Sequence, residues 1–323
     1  QGLSLAALAE VALVRDADLP RGRELVEQAL VLLEDAAPED RFEALSARAR
    51  IGWWLGDLTD DELWITRALD VAREIGRRDL EASAAEELAS AAVARLDLDR
   101  GAQLAAEALG LAEESGNISQ VAWALSSGAK VDQLRGRFDE AAAALDRAEE
   151  LFSQSGSAWA LGRVHYKRAW VEWKRGDVQA AERRFRDGIR ILKPLEDRGT
   201  LCELQRGLAQ LLVIRGKLDE AEDYALQARQ TVGPHDNVSR ASTRMALGIV
   251  RAAQGRDEEA EELLRDALDV LEGTDLRLMR HEVLDALAQF LRARDRVDEA
   301  EEYEAELASY APVLAAEPAP ELA

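Results

Sequence analysis

Apolar residues recur along most of the chain at spacings of three and four, as in Asp139–Phe152 (DEAAAALDRAEELF). That spacing places them in one stripe along a helix. The alternation and β-branched runs beside Asn-Gly turns that mark strands are absent from the sequence. Pro20, Pro38, Pro194 and Pro234 fall in short polar breaks, and Pro312, Pro318 and Pro320 fall in the tail. None interrupts an apolar-periodic segment, as helices require. Alanine, leucine, glutamate and arginine dominate, all of them good helix formers. The pattern predicts an all-α chain.

The breaks themselves repeat. Arg135-Gly136-Arg137-Phe138-Asp139-Glu140-Ala141 returns as Arg175-Gly176-Asp177-Val178, then Arg215-Gly216-Lys217-Leu218-Asp219-Glu220-Ala221, then Gln254-Gly255-Arg256-Asp257-Glu258-Glu259-Ala260, with glycines 40, 40 and 39 residues apart. Gly56 lies 80 residues before Gly136, and Asp295 lies 40 after Gly255. Asp16 and Leu96 complete the series of eight turn positions. Seven residues before each turn stands a ladder of small residues: Ala9, Ala49, Ala89, Ala129, Ala169, Ala209, Gly248 and Ala288. About twelve residues after each turn runs another, Ala29, Ala68, Ala108, Ala148, Gly188, Ala228 and Ala267, which lapses at Leu307. Small residues at the contact let two antiparallel helices approach to about 8–10 Å. A turn glycine tolerates a left-handed backbone, and the acidic pair after it meets the positive end of the next helix dipole. One such hairpin cannot bury its apolar face alone, so neighbours must stack to complete the core.

This pattern, small residue, seven-residue gap, Gly-x-apolar-x-x-Ala and a further small residue, resembles the tetratricopeptide repeat (TPR), most clearly over residues 117–303. The period is 40 where the family has about 34, and most of the family's core aromatics are replaced by Leu, Val and Ala. Leu96 and Asp16 replace the turn glycine, and Asp61 and Gly101 replace the alanine. Long-period arrays of this kind are similar to the C-terminal arms of bacterial signal-transduction ATPases, transcription regulators and cyclase-linked proteins. The resemblance implies an α-solenoid of about eight helical hairpins, some sixteen helices wound into a right-handed superhelix, in a bacterial and cytoplasmic setting. It also implies a non-catalytic interaction or sensor module for a protein, a peptide or a neighbouring domain of the same polypeptide.

The expected array spans residues 1–310, with turns near Asp16, Gly56, Leu96, Gly136, Gly176, Gly216, Gly255 and Asp295. A flexible Pro/Ala/Glu tail is expected over residues 311–323. The start, Gly2-Leu-Ser-Leu-Ala-Ala-Leu, is already apolar where a solenoid needs a polar cap. The expectation is a piece of a larger signalling protein whose preceding part covers that end; a free-standing adaptor is the alternative.

Charge narrows the partners. The 323 residues carry 63 acidic and 41 basic side chains, a formal net charge of -22, which disfavours tracking of a phosphate backbone by the chain as a whole. Residues 1–155 hold 16 basic and 31 acidic side chains, residues 156–198 hold 11 and 6, and residues 199–323 hold 14 and 26. One repeat is therefore a basic island in an acidic body. No stretch approaches the roughly 18 apolar residues of a membrane span. A single cysteine, Cys202, leaves no disulfide framework, and without a neighbouring histidine it reads as a buried small hydrophobe. The sequence contains no phosphate-binding glycine loop, dinucleotide fingerprint or zinc-protease motif. His165, His235 and His281 fall in different repeats, and carboxylate pairs such as Glu149-Glu150 read as solvated faces. No catalytic residue, cofactor or metal is called. Asn117-Ile-Ser and Asn237-Val-Ser read as chance sequons.

In the repeat family the first helix of each hairpin lines the concave surface at positions 13, 10, 6, 3 and 2 residues before the turn. Carried onto this chain, that count gives Arg50, Trp53 and Trp54; Trp123, Lys130 and Gln133; Arg163, Tyr166, Trp170, Trp173 and Lys174; and Arg206 and Gln210. All seven tryptophans lie between residues 53 and 173. Trp and Arg are the side chains most enriched in binding hot spots. The expected partner is acidic or aromatic and sits near Arg163, Tyr166, Trp170, Trp173 and Lys174. The competing reading packs Trp170 and Trp173 between neighbouring helices.

Overall fold

The computed structural model describes residues 2–12, 18–195, 197–310 and 313–314. The turn expected at Asp16 lies outside the described residues, as does the expected tail apart from Val313 and Leu314. Among the described residues there are sixteen α-helices and no strand. They pair in chain order as α1 (Gly2–Glu10) with α2 (Leu19–Leu32), α3 (Pro38–Leu55) with α4 (Leu58–Glu74), α5 (Arg78–Ala94) with α6 (Leu98–Ser115), and α7 (Ile118–Leu134) with α8 (Phe138–Ser155). The series continues as α9 (Ala158–Lys174) with α10 (Val178–Leu192), α11 (Arg198–Ile214) with α12 (Leu218–Thr231), α13 (Asn237–Ala253) with α14 (Asp257–Val270), and α15 (Arg277–Arg292) with α16 (Val297–Leu307).

The hairpins close where the repeat places them. Gly56, Gly136, Gly176, Gly216 and Gly255 all adopt positive φ, and Leu96 and Asp295 do so without being glycine, at 63° and 59°. After three of these turns a side-chain cap starts the next helix, Asp57, Asp97 and Asp177 each accepting a hydrogen bond from a backbone N–H in the following turn, and Asp197 and Asp236 cap the first helices α11 and α13 likewise. Asn117 and Ser157 do the same, so the first sequon asparagine is a cap. From α3 through α9 the helices run to 17 or 18 residues. The residues beyond the shorter repeat therefore lengthen the helices and leave the turns tight.

The small-residue ladders are the seams of the stack. Ala49, Ala129, Ala169 and Ala209 are at most 1% exposed, and Ala68, Ala108, Ala148 and Ala228 are fully buried. At Gly188 an added Cβ would lie 2.7 Å from Leu204 Cδ2, and at Gly248 2.9 Å from Leu264 Cγ, so a methyl group there collides with the adjoining helix. From α5 to α15, first helices touch the first helices of adjoining hairpins and form the inner layer, as α1 and α3 do, while the second helices splay outward.

The inner layer closes on itself. α3 meets α13 and α5 meets α15, across five hairpins of sequence. Asp275, in the segment joining α14 to α15, fastens the joint. Its backbone N–H donates to the Gly56 carbonyl at 3.1 Å, and its carboxylate accepts from Leu58 N at 2.7 Å, Thr59 Oγ1 at 3.0 Å and Arg95 Nε at 3.1 Å. Asn237 Nδ2 donates to the Leu55 carbonyl at 2.9 Å. Leu58 and Ala94 are buried in the same core as Met245, Leu276 and Phe290.

Candidate binding groove

The inner layer turns the counted positions of successive first helices toward one another. At the basic repeat, Tyr166 Oη donates to Glu203 Oε2 at 3.1 Å, Arg206 Nε donates to the same oxygen at 2.8 Å, and Ser242 Oγ donates to Glu203 Oε1 at 2.7 Å. Arg206 also lies 3.8 Å from Glu282 and stacks 5.2 Å from the Trp170 ring. Burial works against the Arg206 charge, but Glu203, Tyr166 and Glu282 more than offset it and raise its pKa. Burial and Glu203 raise the Tyr166 hydroxyl above its ordinary value, so it stays a donor. Two donors here, Arg206 Nη1 and Trp170 Nε1, are buried and have no hydrogen-bond partner in the protein. Such groups cost about 1–3 kcal/mol each when left unpaired, and an acceptor from a ligand or water relieves that cost.

On the side of α9 that faces α7 the lining is cationic. Lys167 Nζ donates to the Ser126 carbonyl at 3.1 Å. Burial lowers its pKa to about 8; Glu86 opposes that shift, while Arg163 and Lys130 add to it. The Glu86 carboxylate is held by the hydroxyls of Ser127 and Ser90. Arg163 lies 5.3 Å from the Trp123 ring and 5.0 Å from Trp159, whose indole donates to Asp197 at 2.6 Å.

The predicted residues thus divide. Tyr166, Trp170, Trp173 and Arg206 come together, as do Trp123 and Arg163, and Lys130 shares the electrostatic field of Lys167. Trp170 stacks on Trp173 at 5.0 Å and 13°, and both set their edges on Phe185 of α10. Each remains half-buried, so these two rings serve the packing between helices and the groove together. Trp53 and Trp54 are taken up in the closure: Trp53 packs on the core shared with α13–α16, and Trp54 lies over Gly199 of α11, where a Cβ would come within 2.8 Å of its ring. Arg206 and Gln210, expected on an exposed face, are 2% and 8% exposed; Arg206 lies between Trp170 of α9 and Glu282 of α15. Gln133 is also buried, Lys174 is half-buried at the end of α9, and the Arg50 charge acts on the buried Asp61.

Glu86, Lys167, Glu203 and Glu282 were missed. Glu203 and Glu282 stand 13 residues before Gly216 and Asp295, and Glu86 stands 10 before Leu96, so the same count extended to acidic residues finds them. Lys167, one position beyond Tyr166, carries no such signal. Cys202 is buried as expected, its thiol pushed well up by burial. No described helix is long and apolar enough to cross a membrane, and no described group of His, Cys, Asp and Glu is placed to hold a metal. Two hollows of about 470 and 730 Å³ lie away from the groove, on α8 and around the start of α4, and acidic side chains line both.

Comparison with known proteins agrees with this geometry. The family described as the MalT-like TPR region matches residues 88–309. Among solved structures, a Rap protein complexed with competence and sporulation factor superposes with a TM-score of 0.78 at 13% identity, covering 96% of this chain and 85% of that one. The apo form of the quorum sensor NprR from B. thuringiensis gives 0.57 at 12% identity, over 95% of this chain and 86% of that one. A signal transduction ATPase with numerous domains and a tetratricopeptide repeat sensor, from Pyrococcus horikoshii, gives 0.54 at 12% identity and covers 96% of this chain but 48% of that one. At such identities the likeness is one of fold. No curated protein matches the sequence.

Proposed function

The chain belongs to the MalT-like TPR family, and from that premise we propose a non-catalytic sensor or interaction module that seats an acidic segment of protein or peptide along its inner layer. Lys130, Arg163 and Lys167 meet the carboxylates, while Trp170, Trp173 and Tyr166 offer ring faces. One observation carries the reading: in a chain of net charge -22, the inner layer buries Lys167 within the field of two further cations, Arg163 and Lys130, beside the unpaired donors Arg206 Nη1 and Trp170 Nε1. An incoming carboxylate relieves the like-charge repulsion among these cations.

The arrangement in the Pyrococcus protein, where a repeat sensor accompanies an ATPase, supports reading this chain as the sensing arm of a larger polypeptide. An upstream reading frame encoding a nucleotide-binding or cyclase domain agrees with that; a stop codon next to the first codon argues for a free-standing adaptor instead.

The binding test is a panel of acidic peptides, with basic and scrambled controls, titrated while tryptophan fluorescence is followed. Acidic peptides should bind, weaken with salt, and lose about tenfold in affinity in Lys167→Met. Their affinity should also fall as pH rises through about 8, where the Lys167 charge is lost. Equal binding by the basic controls, or an unchanged affinity in Lys167→Met and Arg163→Ala, refutes the assignment.

A further inference from the structure

The joint between hairpins has a fixed register. Two residues after the small residue of each first helix comes an apolar side chain that plugs into the preceding hairpin: Ile51, Val131, Val171, Leu211, Val250 and Phe290, none more than 6% exposed. One residue before the small residue, Leu88, Leu208, Leu247 and Leu287 are equally buried, and Arg48 and Arg168 take that place on α3 and α9. The socket is a pair of small or apolar residues four apart on the preceding second helix, as with Ala221 and Ala225 of α12 beside Val250. Val171 shares a core with Ala141 and Leu145 of α8, Leu211 with Ala181 and Phe185 of α10, and Phe290 with Ala260 and Leu264 of α14.

On α1 the small residue is Ala9, and the same two positions are Leu8 and Val11. Both are apolar, yet they are 53% and 37% exposed. The opposite end of the stack is built otherwise. The α16 position corresponding to Leu145, Phe185 and Leu264 is Glu304, which pairs with Arg292. That end is polar, so α1 of a second copy stacking there would strip water from an ion pair, a costly exchange.

We propose that the outer face of α1 docks a helical hairpin of the same build as the eight present, its second helix offering a small residue and, four residues on, an apolar one to receive Leu8 and Val11. The argument is continuity: every equivalent face in this molecule is covered by such a hairpin. This surface is separate from the groove and stands whether or not the groove binds an acidic segment.

The probe is one of the chain's own hairpins. Residues 118–160 fused directly ahead of Gln1 keep the 40-residue register, because Ala169 and Ala9 are 160 positions apart. Amide hydrogen exchange in α1 should slow by at least about tenfold in the fusion, and the gain should vanish in the fusion carrying Leu8→Glu and Val11→Glu. Unchanged exchange in α1, an added hairpin that contributes no helical ellipticity, or slowing that survives the two glutamates overturns the proposal. So does a dimer of the unextended chain, seen by sedimentation and broken by the same substitutions, since the occupant is then a second copy.

Discussion

Asp61 occupies the place where the repeat calls for alanine, and it is 3% exposed. Burial, together with Glu87 and Asp60, pushes its carboxyl up to about 8, against the pull of Arg95 and Arg50. The folded-state pKa thus lies above the unfolded value of 3.8, so the folded chain holds a proton that the unfolded chain gives up. The associated stability is complete below about pH 4 and is lost as pH climbs to about 8, with a slope of up to about 1.4 kcal/mol per pH unit. Denaturant titrations of wild type and Asp61→Asn should therefore converge near pH 4 and diverge toward pH 8, the variant being the more stable. Lys167 leaves this window undisturbed, because below its own value of about 8 it is charged folded or unfolded. The orphaned donors point to a second experiment. Trp170→Phe removes a buried N–H that bonds no other group of the protein, while keeping a ring against Phe185. The melting temperature should hold within a few degrees while an acidic peptide that accepts from that N–H binds about tenfold more weakly.

Helix pairs were the most legible feature of the sequence, and the reason is local. Turn residues and the Ala/Gly ladders act within one hairpin or between neighbours, so a spacing of seven or forty carries them. Leu96 shows the limit of composition and the strength of register. Nothing about leucine announces a left-handed turn, yet it takes one at φ 63° because both flanking helices are already placed by Ala89 and Ala108. The groove was only half legible. Counting along the first helices finds Tyr166 and Trp170, but it cannot tell that Arg206 is buried, because its cover combines Trp170 of the preceding hairpin with Glu282 two hairpins on. Trp170 and Trp173 belong to the helix pair as much as to the surface: they cap Phe185. Trp170→Ala should accordingly lower stability by about 2–4 kcal/mol, measured by urea unfolding, which rules it out as a clean probe of binding.

What joins the whole is the contact between the turn after α3 and the segment before α15. No period reaches across it, since Leu58 and Asp275 are 217 residues apart. Gly56 is the tightest point: φ is 79°, and an added Cβ would lie 2.8 Å from Leu276 Cδ1 and 3.0 Å from Thr274. At Gly216 the backbone is alike, with φ 68°, but nothing stands within 4 Å. Gly216→Ala should then cost only the left-handed strain, about 1 kcal/mol, while Gly56→Ala costs distinctly more. It should also raise the radius of gyration in small-angle scattering, as should Asp275→Ala. A size unchanged in both variants would show that the seam closes without these contacts.

Because of that seam the molecule is a hoop with one free tongue. An open stack of hairpins frays from either end, each unit answering only to its neighbours. Here hairpins two through eight share one circuit, and none of them can peel away without also parting the far side. The first hairpin alone hangs outside the circuit, free to exchange its neighbour while the rest keeps its shape.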